Sequence, residues 1–161
     1  MANEPDKEGN DNETKKPDLK RTPKIPEDRY KVLEILGSGG MGMVLKATHV
    51  QLNKPVAIKV LITTPITQEE NLKRFELEAQ AGSQLAHPNL VDVFDYGVTE
   101  DGEPFLVMEF IEGETLWNML DKYGKLSKDM FLQIFKQIAK AIQYIHNNNI
   151  VHRDIKTSNI M

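Results

Sequence analysis

Apolar and polar residues alternate from Tyr30 to Leu36, and the run stops at Gly37. A period of two predicts a strand with one buried face. Residues 43–50, which read MVLKATHV, predict a second strand, and the β-branched run at 55–61, PVAIKVL, a third. The glycine-rich stretch between the first two makes them a hairpin, and a turn at Asn53–Pro55 adds the third. Thr67-Gln68-Glu69-Glu70 is a capping-box pattern, and the helix it opens carries Leu72, Phe75, Ala79 and Leu85 near one face. His87-Pro88-Asn89 stops that helix. Residues 91–98 and 104–111 predict two more strands, joined by a hairpin at Asp101-Gly102. The order β-β-β-α-β-β predicts a five-stranded antiparallel sheet with one helix.

Past Glu112-Gly113-Glu114 the period becomes helical. Thr115–Gly124 predicts a short helix. Ser127 caps a longer one that runs from Lys128 to a stop at Asn147–Asn149. Phe131, Ile134, Phe135, Ile138, Ile142 and Ile145 recur at threes and fours and predict a buried face. Trp117 and the phenylalanines are expected in the core. Residues 150–161 read as a polar loop between short apolar ends. Residues 1–27 hold half of the eight prolines, many charges and few large apolar side chains, so they predict a disordered tail.

Composition narrows the function classes. The 161 residues carry a net charge of -4 and no cysteine. Disulfides, thiolate zinc sites and a cysteine nucleophile are excluded, and a reducing compartment fits. No basic stripe points to nucleic acid. No run approaches the roughly 20 apolar residues of a membrane span, and the N-terminus lacks the apolar stretch of a secretory signal. A soluble, cytoplasmic segment without membrane contact is expected, with a span beyond residue 161 left open.

Three clusters carry chemistry. Gly37, Gly39 and Gly42 fit G-x-G-x-x-G, with Ser38, Gly40 and Met41 between them. Alone the pattern is weak, and a tight turn explains it as well as a phosphate does. A dinucleotide fold would continue into a helix and place an acid about 20 positions on. Here a β-like run follows, and Lys59 stands at the comparable position, which favours a strand–loop–strand flap over phosphates. No Gly-Lys-Ser/Thr follows, so a Walker loop is excluded. Lys59 lies in the apolar strand Val56-Ala57-Ile58-Lys59, where its charge calls for a partner. Glu78 and Glu76 of the following helix both qualify on spacing. The third cluster is His152-Arg153-Asp154-Ile155-Lys156-Thr157-Ser158-Asn159. An aspartate can accept a hydroxyl proton, a lysine can neutralise a transferring phosphate, and an asparagine oxygen can hold Mg²⁺. His49 and His146 have no ligand cluster around them, and His87 reads as packing or capping its turn.

In this order and spacing the clusters resemble the eukaryotic-type protein kinases, and the GSGGMG wording is most similar to the bacterial serine/threonine branch. The resemblance runs from about Tyr30 to Met161. It implies an α+β kinase-like fold: an N-lobe over 28–111, then the hinge and the start of an α-rich C-lobe over 112–161. It implies ATP and Mg²⁺ as cofactors and Ser/Thr hydroxyls of protein substrates as acceptors. Gly37, Ser38, Gly39, Gly40 and Gly42 would let backbone approach the phosphates, and Lys59 would pair with them, held by Glu78. Met108 would be the gatekeeper, and Glu109 and Ile111 would offer backbone groups to adenine. Val44 and Ala57 would pack above the base and Met161 below it. Asp154 would be the catalytic base, Lys156 would meet the γ-phosphate, and Asn159 would hold Mg²⁺. The lysine two positions after Asp154 resembles the serine/threonine class.

Gly82 departs from the family, whose members place a larger apolar residue there to link helix and core. The Asp-Phe-Gly segment, the activation loop and most of the helical lobe are not among these 161 residues. The resemblance therefore implies a partial kinase domain, inactive alone, whose long helix would expose its apolar face and fold poorly. The alternative is a non-catalytic kinase-like module that binds nucleotide or docks a partner.

Overall fold

The computed structural model describes residues 23–39, 42–62 and 68–161, the side chains of residues 68–71, 74 and 78 excepted. Strands β1 (Tyr30–Gly39), β2 (Gly42–His49), β3 (Lys54–Leu61), β4 (Val93–Val98) and β5 (Pro104–Glu109) form one antiparallel sheet in the order β1-β2-β3-β5-β4. Helix α1 (Gln68–Ser83) lies between β3 and β4 in sequence. Helices α2 (Leu116–Tyr123) and α3 (Lys128–Asn147) follow, and a single 3-10 turn spans Thr157–Asn159.

Alternation along the central strands divides the sheet into two apolar faces. Met43, Leu45 and Ala47 of β2, Val56, Ile58 and Val60 of β3, and Phe105 and Val107 of β5 are buried on one face with Tyr30 and Ile25. Leu106 of β5 turns to the other face and packs with Phe75 and Ala79 of α1, with Leu61, Val93, Tyr96 and Met108 around them. Continuous apolar content in β5 follows from this, because that strand is covered on two sides.

The turns use residues that tolerate their backbone. Asn53 takes a positive φ of 49° in the turn before β3. Pro55 itself sits inside β3 opposite Thr48, so the turn ends earlier than the sequence suggested. The β4–β5 hairpin closes as expected: Gly102 has φ 84°, and the Glu103 N–H donates to Thr99 Oγ1 at 3.0 Å. Thr115 caps α2 by accepting from the Asn118 N–H at 3.1 Å, and Ser127 caps α3 by accepting from the Met130 N–H at 3.2 Å. Asn149, at φ 59°, ends α3, and the Ile150 N–H returns to the Ile145 carbonyl at 3.1 Å. The Thr67 capping box lies outside the described residues.

Four expectations are corrected. Pro23 and Ile25 are buried, so the packed part of the chain begins before residue 28. The Lys24 carbonyl accepts from the Glu100 N–H at 3.2 Å, which straps this segment to the β4–β5 turn. Trp117 is 60% exposed, because α2 turns only Leu116 fully inward. Phe94, Phe131 and Phe135 are also exposed, leaving Phe75 and Phe105 as the core phenylalanines. The predicted buried face of α3 is buried only at its C-terminal end, at Ala141 and Ile145. There Tyr144 accepts from the Ala86 N–H at 3.2 Å and stacks near His87, and Gln137 accepts from Asn89 at 2.8 Å. Finally, the polar stretch after α3 is not all loop but contains the 3-10 turn.

Candidate functional site

The cross-strand register gathers most of the predicted nucleotide residues onto one face. Val44 lies opposite Lys59, Lys46 opposite Ala57, and Ala57 opposite Met108. Their neighbours one position away belong to the buried core of the other face, so these side chains point the opposite way. A cavity of about 400 Å³ opens here, lined by Gly37, Ser38, Gly39, Gly42, Met43, Val44, Lys59 and Val60. Lys59 Nζ stands 5.7 Å from the centre of the Phe75 ring, so the lysine spans from the sheet towards α1. The side chain of Glu78 lies outside the described residues, as do Gly40 and Met41.

The three glycines of the motif are there for two reasons. At Gly42 the protein itself demands glycine: φ is 148°, and a Cβ would sit 2.0 Å from the Val60 carbonyl oxygen. At Gly37 and Gly39 a Cβ would meet nothing within 4 Å. What a side chain would fill there is the cavity.

The hinge side follows β5. The Glu109 N–H donates to the Asp92 carbonyl at 2.9 Å, so its carbonyl is the backbone group that would serve a ligand. Ile111 follows in the extended linker. Sequence reasoning missed Lys46 here. Its ammonium lies 4.5 Å from the centre of the Phe110 ring and 3.5 Å from Glu34, and so ties β2 to the hinge. Its place two residues after Val44, on the same face, was the signal that could have found it.

The second half of the site is one compact cluster. Lys156 Nζ lies 2.9 Å from Asp154 Oδ2, and Asn159 Nδ2 donates to both the backbone oxygen and Oδ2 of Asp154 at 2.9 Å. Arg153 has a positive φ of 63°, and the Asp154 N–H donates back to the His152 carbonyl at 2.9 Å. That is a γ-turn with a non-glycine centre, a strained arrangement of the kind found at functional sites. The hydrogen bond from Lys156, then that from Asn159, holds the Asp154 carboxyl below its usual range. The 3-10 turn packs on α2, and the Leu116 N–H donates to the Ile160 carbonyl at 2.7 Å. Met161, next in the chain, is largely exposed. Among the described residues no group of three or more His, Cys, Asp or Glu could hold a metal ion by itself. A larger cavity of about 660 Å³ lies away from this chemistry, between the Pro23–Ile25 strap and β1.

The protein kinase domain family matches residues 30–161. The chain is 43% identical over 133 residues to serine/threonine-protein kinase PrkC of Bacillus subtilis, covering 83% of this chain and 20% of that protein. It is 38% identical over 133 residues to serine/threonine-protein kinase pkn3 of Myxococcus xanthus, covering 83% and 24%. It therefore spans about a fifth to a quarter of these relatives. Among solved structures, the PknI kinase domain of M. tuberculosis superposes with a TM-score of 0.70 at 29% identity, covering 81% of this chain and 52% of that one. By this match and these identities the chain belongs to the eukaryotic-type protein kinase family, in its bacterial serine/threonine branch.

Proposed function

We propose that this chain supplies the ATP-binding lobe and catalytic loop of a serine/threonine protein kinase, which transfers the γ-phosphate of ATP to protein Ser or Thr hydroxyls. The observation that carries the reading is the cavity shared by the glycine hairpin and Lys59. It offers open backbone on one side and a cation on the other, which suits a polyphosphate. Val44, Ala57 and Met108 continue the same face towards the hinge and would bound the adenine, with Met161 on the far side. The carbonyl of Glu109 and the backbone of Ile111 would take its polar edge. Glu78 would hold Lys59 from α1.

On the loop, Asp154 is ionised at neutral pH and can accept the proton of an incoming hydroxyl. Its lowered basicity stems mainly from Lys156. A γ-phosphate that draws the ammonium away from Asp154 would raise that basicity as the substrate binds. The hydroxyl oxygen then bonds to the γ-phosphorus, the bond to the ADP oxygen breaks, and the proton passes to Asp154. Lys156 would offset the charge of the transferring group. Asn159 commits its Nδ2 to Asp154, so its Oδ1 is the atom that would face Mg²⁺. One side-chain oxygen fits an ion that completes its shell from phosphate oxygens and water. That ion neutralises phosphate charge when bound.

The test is transfer from γ-labelled ATP to a Ser/Thr protein substrate by the full-length protein. Asp154→Asn is expected to abolish labelling. Labelling at the wild-type rate would refute the assignment of Asp154.

A further inference from the structure

Lys46 crosses a gap that the strand ladder does not bridge. Its strand, β2, pairs with β1 and β3 but not with β5, the strand that leads into the hinge. Lys46 stands opposite Ala57 in β3, and Ala57 stands opposite Met108 in β5. The small methyl of Ala57 leaves the lysine stem room to lie across β3. The ammonium ends 4.5 Å from the centre of the ring of Phe110, the first residue after β5. On its other side it lies 3.5 Å from Glu34, its register partner on β1.

Both ends of this bridge fall at consequential points. The register of β1 slips between Val32 and Glu34 and again between Ile35 and Gly37, so Glu34 sits in a short paired stretch between two bulges. Bulges bend a strand and interrupt its ladder. The first strand of the glycine hairpin is therefore held weakly by its backbone where Glu34 reaches Lys46. At the other end, Phe110 lies between Glu109 and Ile111, whose backbone takes the adenine edge in the reading above. The Glu34 side chain is 59% exposed and that of Lys46 only 29%. Solvent screens the ion pair, so the half-buried Phe110 ring is the stronger anchor.

We propose that Lys46 is a positioning residue for the purine base: the Glu34–Lys46–Phe110 bridge holds the glycine hairpin at a fixed height over the hinge and so sets the affinity for adenine, not for the phosphates. The functional half rests on the nucleotide reading above; the bridge itself does not. Lys46 thus divides the work with Lys59, the cation on the phosphate side of the same face.

The test uses the full-length protein, with hydrogen exchange of the β1 amides and affinities for adenosine and ATP as readouts. Lys46→Met keeps an unbranched stem and removes the charge. Adenosine and ATP affinity should both fall about fivefold, the size of a partly exposed cation–π contact, so their ratio stays fixed. Exchange of β1 should quicken by a similar factor without nucleotide. Lys46→Arg restores a cation over the ring and should keep both readouts within about twofold of wild type. Phe110→Leu removes the ring from the other side, and Lys46→Met should cost nothing further in that background. Unchanged adenosine affinity in Lys46→Met, additive losses in the pair, or no rescue by arginine overturns the positioning role. A loss confined to ATP overturns it too, because the lysine then serves the phosphates. Unchanged β1 exchange in Lys46→Met overturns the bridge. If the wild-type protein binds neither ligand, the nucleotide reading falls, and β1 exchange still judges the bridge.

Discussion

The sheet and the segment after the hinge are built to different standards of closure. In the sheet, Leu45, Ala47, Ile58, Val60 and Val107 have no exposed surface at all. Both faces of β5 are covered, one by the core around Tyr30 and the other by α1. In the helical segment, Trp117, Phe131, Leu132 and Phe135 stand open, and the Phe131 and Phe135 rings stack on each other 4.2 Å apart. The comparison teaches where each half of the site gets its rigidity. The glycine cavity inherits it from a packed sheet. The Asp154 cluster gets it from its own hydrogen bonds and from one backbone bond to α2.

The largest expected effect separates the two regions by packing. In the 161-residue chain, Phe105→Ala should cost about 3–5 kcal/mol, the usual range for a buried aromatic, and unfold the sheet. Phe131→Ala should stay within about 0.5 kcal/mol, as surface changes do. Denaturant titration checks both, and equal losses would erase the contrast.

Next comes the division among the glycines. Gly42→Ala forces a Cβ onto the Val60 carbonyl at a strained φ, so it should lower the melting temperature clearly, by more than the ~1 kcal/mol of an ordinary glycine replacement. Gly37→Val meets open space, so it should leave melting almost unchanged while weakening ATP binding. Parallel losses of stability in both would show that the hairpin needs glycine for its own sake throughout.

The third effect lies on the covered face. Tyr30 is buried and donates to Asp95 Oδ2 at 2.6 Å, and Arg29 bonds the same carboxylate. Burial first, then the bond to Asp95, pushes the Tyr30 phenol well above its ordinary value. A group raised on folding favours the protonated native state. Its contribution is complete below about pH 10, the ordinary tyrosine value, and is lost as pH rises through the folded value. Stability should therefore fall in strong alkali. Tyr30→Phe should cost about 1 kcal/mol near neutrality and flatten that fall, as read by unfolding at several pH values.

The smallest expected effect is on the exposed loop. Asp154 is lowered on folding, so its contribution is present above the ordinary carboxylate range and is lost as pH falls through the folded value. Solvent screens it, and Asp154→Asn should leave the melting temperature unmoved while abolishing transfer.

Much of this was legible in the sequence because it depends on local rules. The period of two in β1–β3, the Asp101-Gly102 hairpin and the Ser127 cap need only neighbours in the chain. The grouping of Val44, Ala57 and Lys59 came from the family resemblance, and the strand register places the three on one face. What was not legible depends on the third dimension. The periodicity of α3 marks an apolar face without saying what covers it. Read alone it predicts Phe131 and Phe135 buried, whereas their exposure matches the open apolar face expected of this helix in a partial domain. Ile25 lay in a polar stretch, and only the curled sheet reveals the hollow it fills. The reason for Gly42 is a carbonyl eighteen positions later in the chain.

The most direct test of the central claim is calorimetric titration of the full-length protein with ATP and with adenosine, repeated in Lys59→Met. If the glycine cavity and Lys59 together hold phosphates, ATP should bind at least about tenfold tighter than adenosine, a difference near 1.4 kcal/mol. That advantage should vanish in Lys59→Met while adenosine binding persists. Equal affinity of the wild-type protein for the two ligands, or an ATP advantage untouched by the substitution, would contradict the account.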